Sequence, residues 1–155
     1  MFKKSSWEHL RIPFSYYLMP VFWFALSLAT ETPIVNILGI GIILHLFLYP
    51  SSNGYNSYFD KDEKSIGGLE HPPAVSKELY YTSLLFDLIG TALALIISWQ
   101  FAVMVFIYGM VSKAYSHPHT RLKKYPWGSW LITGFFQGFF TFWMVYMALN
   151  HQNFT

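Results

Sequence analysis

The chain has 155 residues, of which 54% are hydrophobic, 21% aromatic and only 12% charged, a balance far from that of a soluble globule. Its net charge of +2, with no Lys/Arg-rich run on a polar surface, argues against a nucleic-acid partner. The absence of cysteine excludes disulfides, thiolate metal sites and a cysteine nucleophile. The class that remains is an all-α membrane protein, read as one domain over residues 1–155.

Apolar runs of roughly 20 residues, the length that crosses a bilayer, fall near 12–29, 33–58, 79–99, 101–115 and 127–149. The first follows Lys3, Lys4 and Arg11 as a signal peptide would, but its apolar part is long and no small-x-small cleavage site follows, so it reads as a retained helix. In the second, Pro50 removes a backbone donor and crowds the carbonyl of Leu46, and Ser51, Ser52 and Gly54 follow. A kink or a broken helix is predicted there, bordering protein or a water-filled cavity rather than lipid. His45, in mid-span, reads as packing more readily than as a ligand.

The third span carries Asp87, the only acid well inside an apolar run, about 10 Å in at 1.5 Å per residue. A group at that depth is costly unless paired or beside water. If the third and fourth spans turn near Gln100, Asp87 and Lys113 lie equally far from the turn. A structural ion pair is expected, with a catalytic or substrate-orienting Asp87 as the alternative. His117 and His119 lack a third ligand at metal spacing and read as loop residues. In the last span Gly134 and Gly138 form a GxxxG, a surface for close packing of another helix.

The charges arrange themselves on this map. Lys3, Lys4 and Arg11 precede the first span; Lys61, Lys64 and Lys77 separate the second from the third; Lys113, Arg121, Lys123 and Lys124 lie at or beyond the end of the fourth. These are all ten basic residues, and all fall on one side. The positive-inside rule then predicts a cytoplasmic N-terminus, five spans, cytoplasmic loops at 61–77 and 117–125, and a C-terminus across the membrane.

Four of the eight acidic residues crowd into positions 53–73, NGYNSYFDKDEKSIGGLEHPP. If the second helix persists to Lys64, Asn53, Asn56, Asp60 and Glu63 share one face, with Asp62 pointing elsewhere. An amide oxygen and carboxylates at a membrane–water boundary suit a hard divalent cation such as Mg²⁺, which is commonly held by one or two carboxylates together with substrate phosphates. The alternative is a solvated helix end, compensated by Lys61 and Lys64.

The segment NSYFDKDEK followed by HPPAVSKE resembles the first aspartate-rich motif of the UbiA superfamily of intramembrane prenyltransferases. YSHPHTRLKKYPWGSWLITGFFQG is similar to that family's loop and following helix, and LRIPFSYYLMPVFWFALS to its first helix. The resemblance implies the first half of a UbiA-type bundle, with a second aspartate motif and further helices supplied by a C-terminal half or a second chain. It implies Mg²⁺ as cofactor, a polyprenyl diphosphate as donor substrate and an acceptor. By position, Asn56 and Asp60 match metal-binding residues, with Asp60 as the catalytic candidate and Asp62 or Glu63 as substitute ligands. Arg121, Lys123 and Lys64 would face the diphosphate, and Tyr115 and Ser116 begin the matching loop. The sequence departs from the motif at Ser57, Lys64 and His71.

The leading expectation is therefore a membrane prenyltransferase that transfers a polyprenyl group and is incomplete as this chain. A degenerate, non-catalytic homologue that binds lipid or scaffolds other subunits is the alternative, and a small transporter built on Pro50 and Asp87 is a third. The thirty-two aromatic residues suit a prenyl tunnel, but interfacial belts and lipid-facing packing explain them equally well.

Overall fold

The structure, a computed structural model, describes residues 3–150. The tail at 151–155, expected across the membrane, lies outside the described residues. Helix α1 (Lys4–Leu10) leads through a 3₁₀ segment (Ile12–Leu18) into α2 (Met19–Ser27). Long helices α3 (Ile34–Asp60), α4 (Lys77–Ile97), α5 (Trp99–Ser116) and α6 (Pro126–Leu149) follow, with a 3₁₀ turn at Leu122–Lys124 before the last. No strand occurs among the described residues; the nearest thing to one is a bridge between Ile66 and Leu69 in the α3–α4 loop.

The first apolar run is not one α-helix. Pro13 and Pro20 each sit in the opening turn of a separate segment, where a missing N–H costs nothing. The chain between them winds as 3₁₀. At about 2.0 Å per residue for the 3₁₀ part and 1.5 Å for α2, the two segments still extend about 28 Å.

Pro50 does not break α3. The turns just before it, Ile43–Leu48, are wound as π-helix, and the Tyr49 N–H donates back to the Leu44 carbonyl. Widening the ladder by one residue is the known way to seat an obstacle such as a proline ring without ending a helix. The predicted irregularity is thus displaced one turn upstream, and the helix runs on to Asp60. It stops there because Lys61 turns left-handed (φ 50°) and its N–H caps the Ser57 carbonyl.

Helices α3, α4 and α6 are long and apolar enough to cross a membrane. Large side chains point outward along the bundle, with Ile96 80% and Trp127 84% exposed, as lipid-facing residues do. In lipid the hydrophobic effect gives little drive for helix association, so close backbone approach and interhelical hydrogen bonds must supply it. Gly54 provides the approach between α3 and α4: a Cβ there would lie 2.6 Å from Ser83 Oγ. Gly90 does the same against Phe47, and the Ser51 hydroxyl donates to the Ser83 carbonyl at 2.8 Å. Helices α4 and α5 form a hairpin whose single linking residue, Ser98, accepts the Phe101 N–H at 3.1 Å and so caps α5.

The main core gathers Phe22, Leu44, Tyr49, Phe101, Val105 and Met144 from α2, α3, α5 and α6. A smaller cluster, Leu10, Leu79 and Phe86, seats α1. The bundle has two poles. At one, Thr30 and Thr32 bond to Asn150 and to the Leu149 carbonyl, joining the α2–α3 link to the end of α6. At the other stand the ends of α1, α3 and α5, with Arg11, Asp60 and Lys123.

Candidate functional site

Among the described residues, three of the four non-glycine positions with positive φ, namely Arg11 (46°), Lys61 (50°) and Arg121 (33°), border this second pole. Left-handed backbone is costly for such side chains, and it concentrates where the surrounding structure fixes a site. Each turn re-aims the chain toward the end of α3. Arg11 lets α1 end with its guanidinium over α3, and Arg121 sets up the 3₁₀ turn that presents Lys123 inward. Thr120 steadies that turn by donating to the Ala114 carbonyl at 2.7 Å.

Asn53, Asn56 and Asp60 share one face of α3, at the spacing of helical turns. Asn53 Oδ1 accepts from Arg11 at 3.2 Å, and the same guanidinium donates to the Gly67 carbonyl at 3.1 Å, tying the α3–α4 loop to the site. Asn56 Oδ1 accepts from Ser116 Oγ at 2.7 Å and from Lys123 Nζ at 3.0 Å. Lys123 Nζ also binds Asp60 Oδ1, and Arg121 stands 3.9 Å from that oxygen. The Asp60 and Lys123 side chains are only 18% and 15% exposed. Burial lowers the pKa of the Arg11 guanidinium, and the charges of Asp62 and Asp60 oppose that shift.

Beside these residues a cavity of about 230 Å³ opens between α3, α5 and α6. Its polar end carries Arg11, Asn53, Asn56 and Ser116; its apolar end carries Tyr108, Ile132 and Phe136. Tyr115, at its edge, bonds to Ser129 at 2.7 Å and ties α5 to α6. Arg11 is the charged residue of this lining, and Lys123 adjoins it through its bond to Asn56; a concave space with a few convergent polar groups beside apolar walls is the usual form of a ligand site.

The remaining sequence candidates fall elsewhere. Because α3 ends at Asp60, Glu63 does not continue its face, and Asp62, Glu63 and Lys64 are all exposed in the following loop. The four-residue face expected from a helix reaching Lys64 is corrected to Asn53, Asn56 and Asp60. Asp87 Oδ2 meets Lys113 Nζ at 2.5 Å across the α4–α5 hairpin, away from this cavity. His45 packs edge-on against Phe22 and Tyr49. The His117 and His119 rings lie tilted against each other in the loop, their centroids 5.3 Å apart. Nothing lies within 4 Å of a Cβ at Gly134 or Gly138 among the described residues.

The Mg²⁺ expectation meets a donor set that does not suit it. No group of three His, Asp or Glu side chains converges among the described residues. Asn56 Oδ1 and Asp60 Oδ1, two of the oxygens expected to ligate it, both accept from the Lys123 ammonium. Arg11 lies in the stretch that resembles the family's first helix, but no site role was expected of it; the sequence signal for one is its charge at the edge of an apolar run.

These features define an integral membrane helix bundle with Arg11, Arg121 and Lys123 gathered at one pole, beside a cavity that Arg11 lines. The chain belongs to the UbiA prenyltransferase family, which matches residues 17–154. No curated protein and no solved structure matches it.

Proposed function

We propose that the chain binds a polyprenyl diphosphate with its head at the Arg11, Arg121 and Lys123 pole and its tail along Tyr108, Ile132 and Phe136, for transfer of the prenyl group to an acceptor. The observation that carries this reading is the cavity lined by Arg11, Asn53 and Asn56 toward one end and by Tyr108, Ile132 and Phe136 toward the other, with Lys123 bonded to Asn56 of that lining. Guanidinium forks recognise phosphate oxygens bidentately, and cations aimed at a departing diphosphate stabilise the charge that develops on it. Asp60 is a positioning residue here, holding Lys123 and Arg121 in place. Lys64 is exposed in the loop that follows α3.

The molecule crosses the membrane five times in this reading, with the cationic pole cytoplasmic. Room beside Gly134 and Gly138 accommodates a further helix, from a second chain or a C-terminal continuation. A lipid-binding homologue without transferase activity is the second reading, favoured by the ammonium that fills the expected metal position.

The deciding measurement is prenyl transfer from labelled polyprenyl diphosphates in membranes, for the wild type and for Asp60→Ala. Transfer by the wild type is expected, falling at least about tenfold in the variant, the cost of losing charge-assisted bonds worth about 1.5–3 kcal/mol. Diphosphate binding without any transfer would select the second reading. Transfer unaffected by Asp60→Ala would remove Asp60 from the site.

A further inference from the structure

A hard divalent cation and an ammonium cannot occupy one position. Lys123 Nζ stands between Asn56 Oδ1, at 3.0 Å, and Asp60 Oδ1, where a metal would draw its protein ligands. Mg²⁺ demands oxygens at about 2.0–2.1 Å in a nearly octahedral shell, and repulsion from an ammonium at bonding range would oppose its entry. Both partners are mostly buried, so moving Lys123 aside would leave a carboxylate and an ammonium poorly solvated. The backbone also commits to the arrangement. Lys123 sits in a 3₁₀ turn entered through left-handed Arg121, and the Thr120 hydroxyl donates to the Ala114 and His117 carbonyls.

The other oxygens do not make up the loss. Asp62 and Glu63 are exposed beyond the helix end, and among the described residues no three acidic or histidine side chains converge. Three cations, Arg11, Arg121 and Lys123, gather at the pole without any metal, against the carboxylates of Asp60 and, toward Arg11, Asp62.

We infer that Lys123 takes the place of the divalent cation in this chain, so that the pole holds a diphosphate head group directly, through Lys123, Arg11 and Arg121, without metal. The inference rests on the diphosphate reading of the site and changes what that site needs in order to work.

The test uses the full chain in phosphatidylcholine nanodiscs and tritiated farnesyl diphosphate as probe, in excess EDTA and again in Mg²⁺. The expected dissociation constants agree within about twofold, whereas Lys123→Gln, which removes the ammonium and its charge-assisted bond to phosphate, weakens binding by about tenfold or more in EDTA. Lys123→Arg should retain most of the affinity. Binding by the wild type only when Mg²⁺ is present would overturn the inference and leave the diphosphate reading standing. No binding under either condition would overturn both. Unchanged affinity in a folded Lys123→Gln variant would also overturn the inference, and the wild-type comparison stands even if that variant fails to fold.

Discussion

A mostly buried charged pair that joins two apolar helices, Asp87 of α4 and Lys113 in the last turn of α5, must be explained one atom at a time. Lys113 Nζ meets Asp87 Oδ2 at 2.5 Å and Ser51 Oγ at 2.9 Å, and lies 5.1 Å from the centre of the Tyr55 ring. The ammonium is thus surrounded on three sides, and Ser51 carries the network on to the Ser83 carbonyl. Removing one charge strands the other in a low-dielectric setting. Lys113→Leu alone is expected to destabilise the bundle by about 3–5 kcal/mol, whereas Asp87→Leu with Lys113→Leu should cost far less. Unfolding in detergent micelles, followed by circular dichroism, measures both. If the double variant is as stable as the wild type yet loses prenyl transfer, the pair belongs to the chemistry rather than to the scaffold. Equal destabilisation in the single and double variants would mean that the pair is not what makes Lys113 costly to remove.

At the scale of helices, the glycines separate tight approaches from open ones. At Gly54 a Cβ would lie 2.6 Å from Ser83 Oγ, 3.0 Å from Leu10 and 3.1 Å from Leu79, whereas at Gly134 nothing lies within 4 Å. Gly54→Ala should force α1, α3 and α4 apart and cost about 1–3 kcal/mol. Gly134→Ala, gaining helix propensity with no clash, should stabilise by up to about 1 kcal/mol. Thermal unfolding of the two variants in the same detergent checks the contrast, and a reversed order would contradict the packing of α3 on α4. These elements were legible to different degrees. Apolar runs located α3, α4, α5 and α6 to within a few residues, because a bilayer leaves only one way to bury backbone polar groups in a long apolar segment. The split of the first run was not legible, since Pro13 and Pro20 are as compatible with a kinked helix as with a 3₁₀ entry. The end of α3 was missed for a related reason: left-handed Lys61 has no sequence signal, glycine or asparagine being the usual occupant of such a cap. That one residue decides whether Glu63 shares a face with Asp60. Asn56, Asp60 and Lys123 were all identifiable, but their meeting depended on the turn at Arg121, which spacing along the chain does not reveal.

On the whole molecule, the distribution of charge and the two poles make one statement about orientation. Every described basic residue outside the hydrophobic middle belongs to the pole that holds Asp60, and the opposite pole is closed by Thr30, Thr32 and Asn150 with no cation among them. Lysines and arginines near span ends are retained on the cytoplasmic side during insertion. The 3₁₀ entry with α2, at about 28 Å, and α5, at about 27 Å from its 18 residues, both approach the roughly 30 Å of a hydrocarbon core, so the five crossings we propose would place the α4–α5 turn opposite the α3–α4 loop. The lack of native cysteine makes this directly measurable, since each engineered thiol will be the only one present. Cysteines at Ser65 and His119 should resist a membrane-impermeant maleimide in intact cells and react after permeabilisation. Cysteines at Glu31 and Ser98 should react from outside. A reversed pattern would invert the orientation while preserving the span count. Reaction of the cysteines at positions 65 and 98 from the same side would mean that α4 does not cross, and the proposed cytoplasmic address of the cationic pole, with the diphosphate reading that depends on it, would be lost.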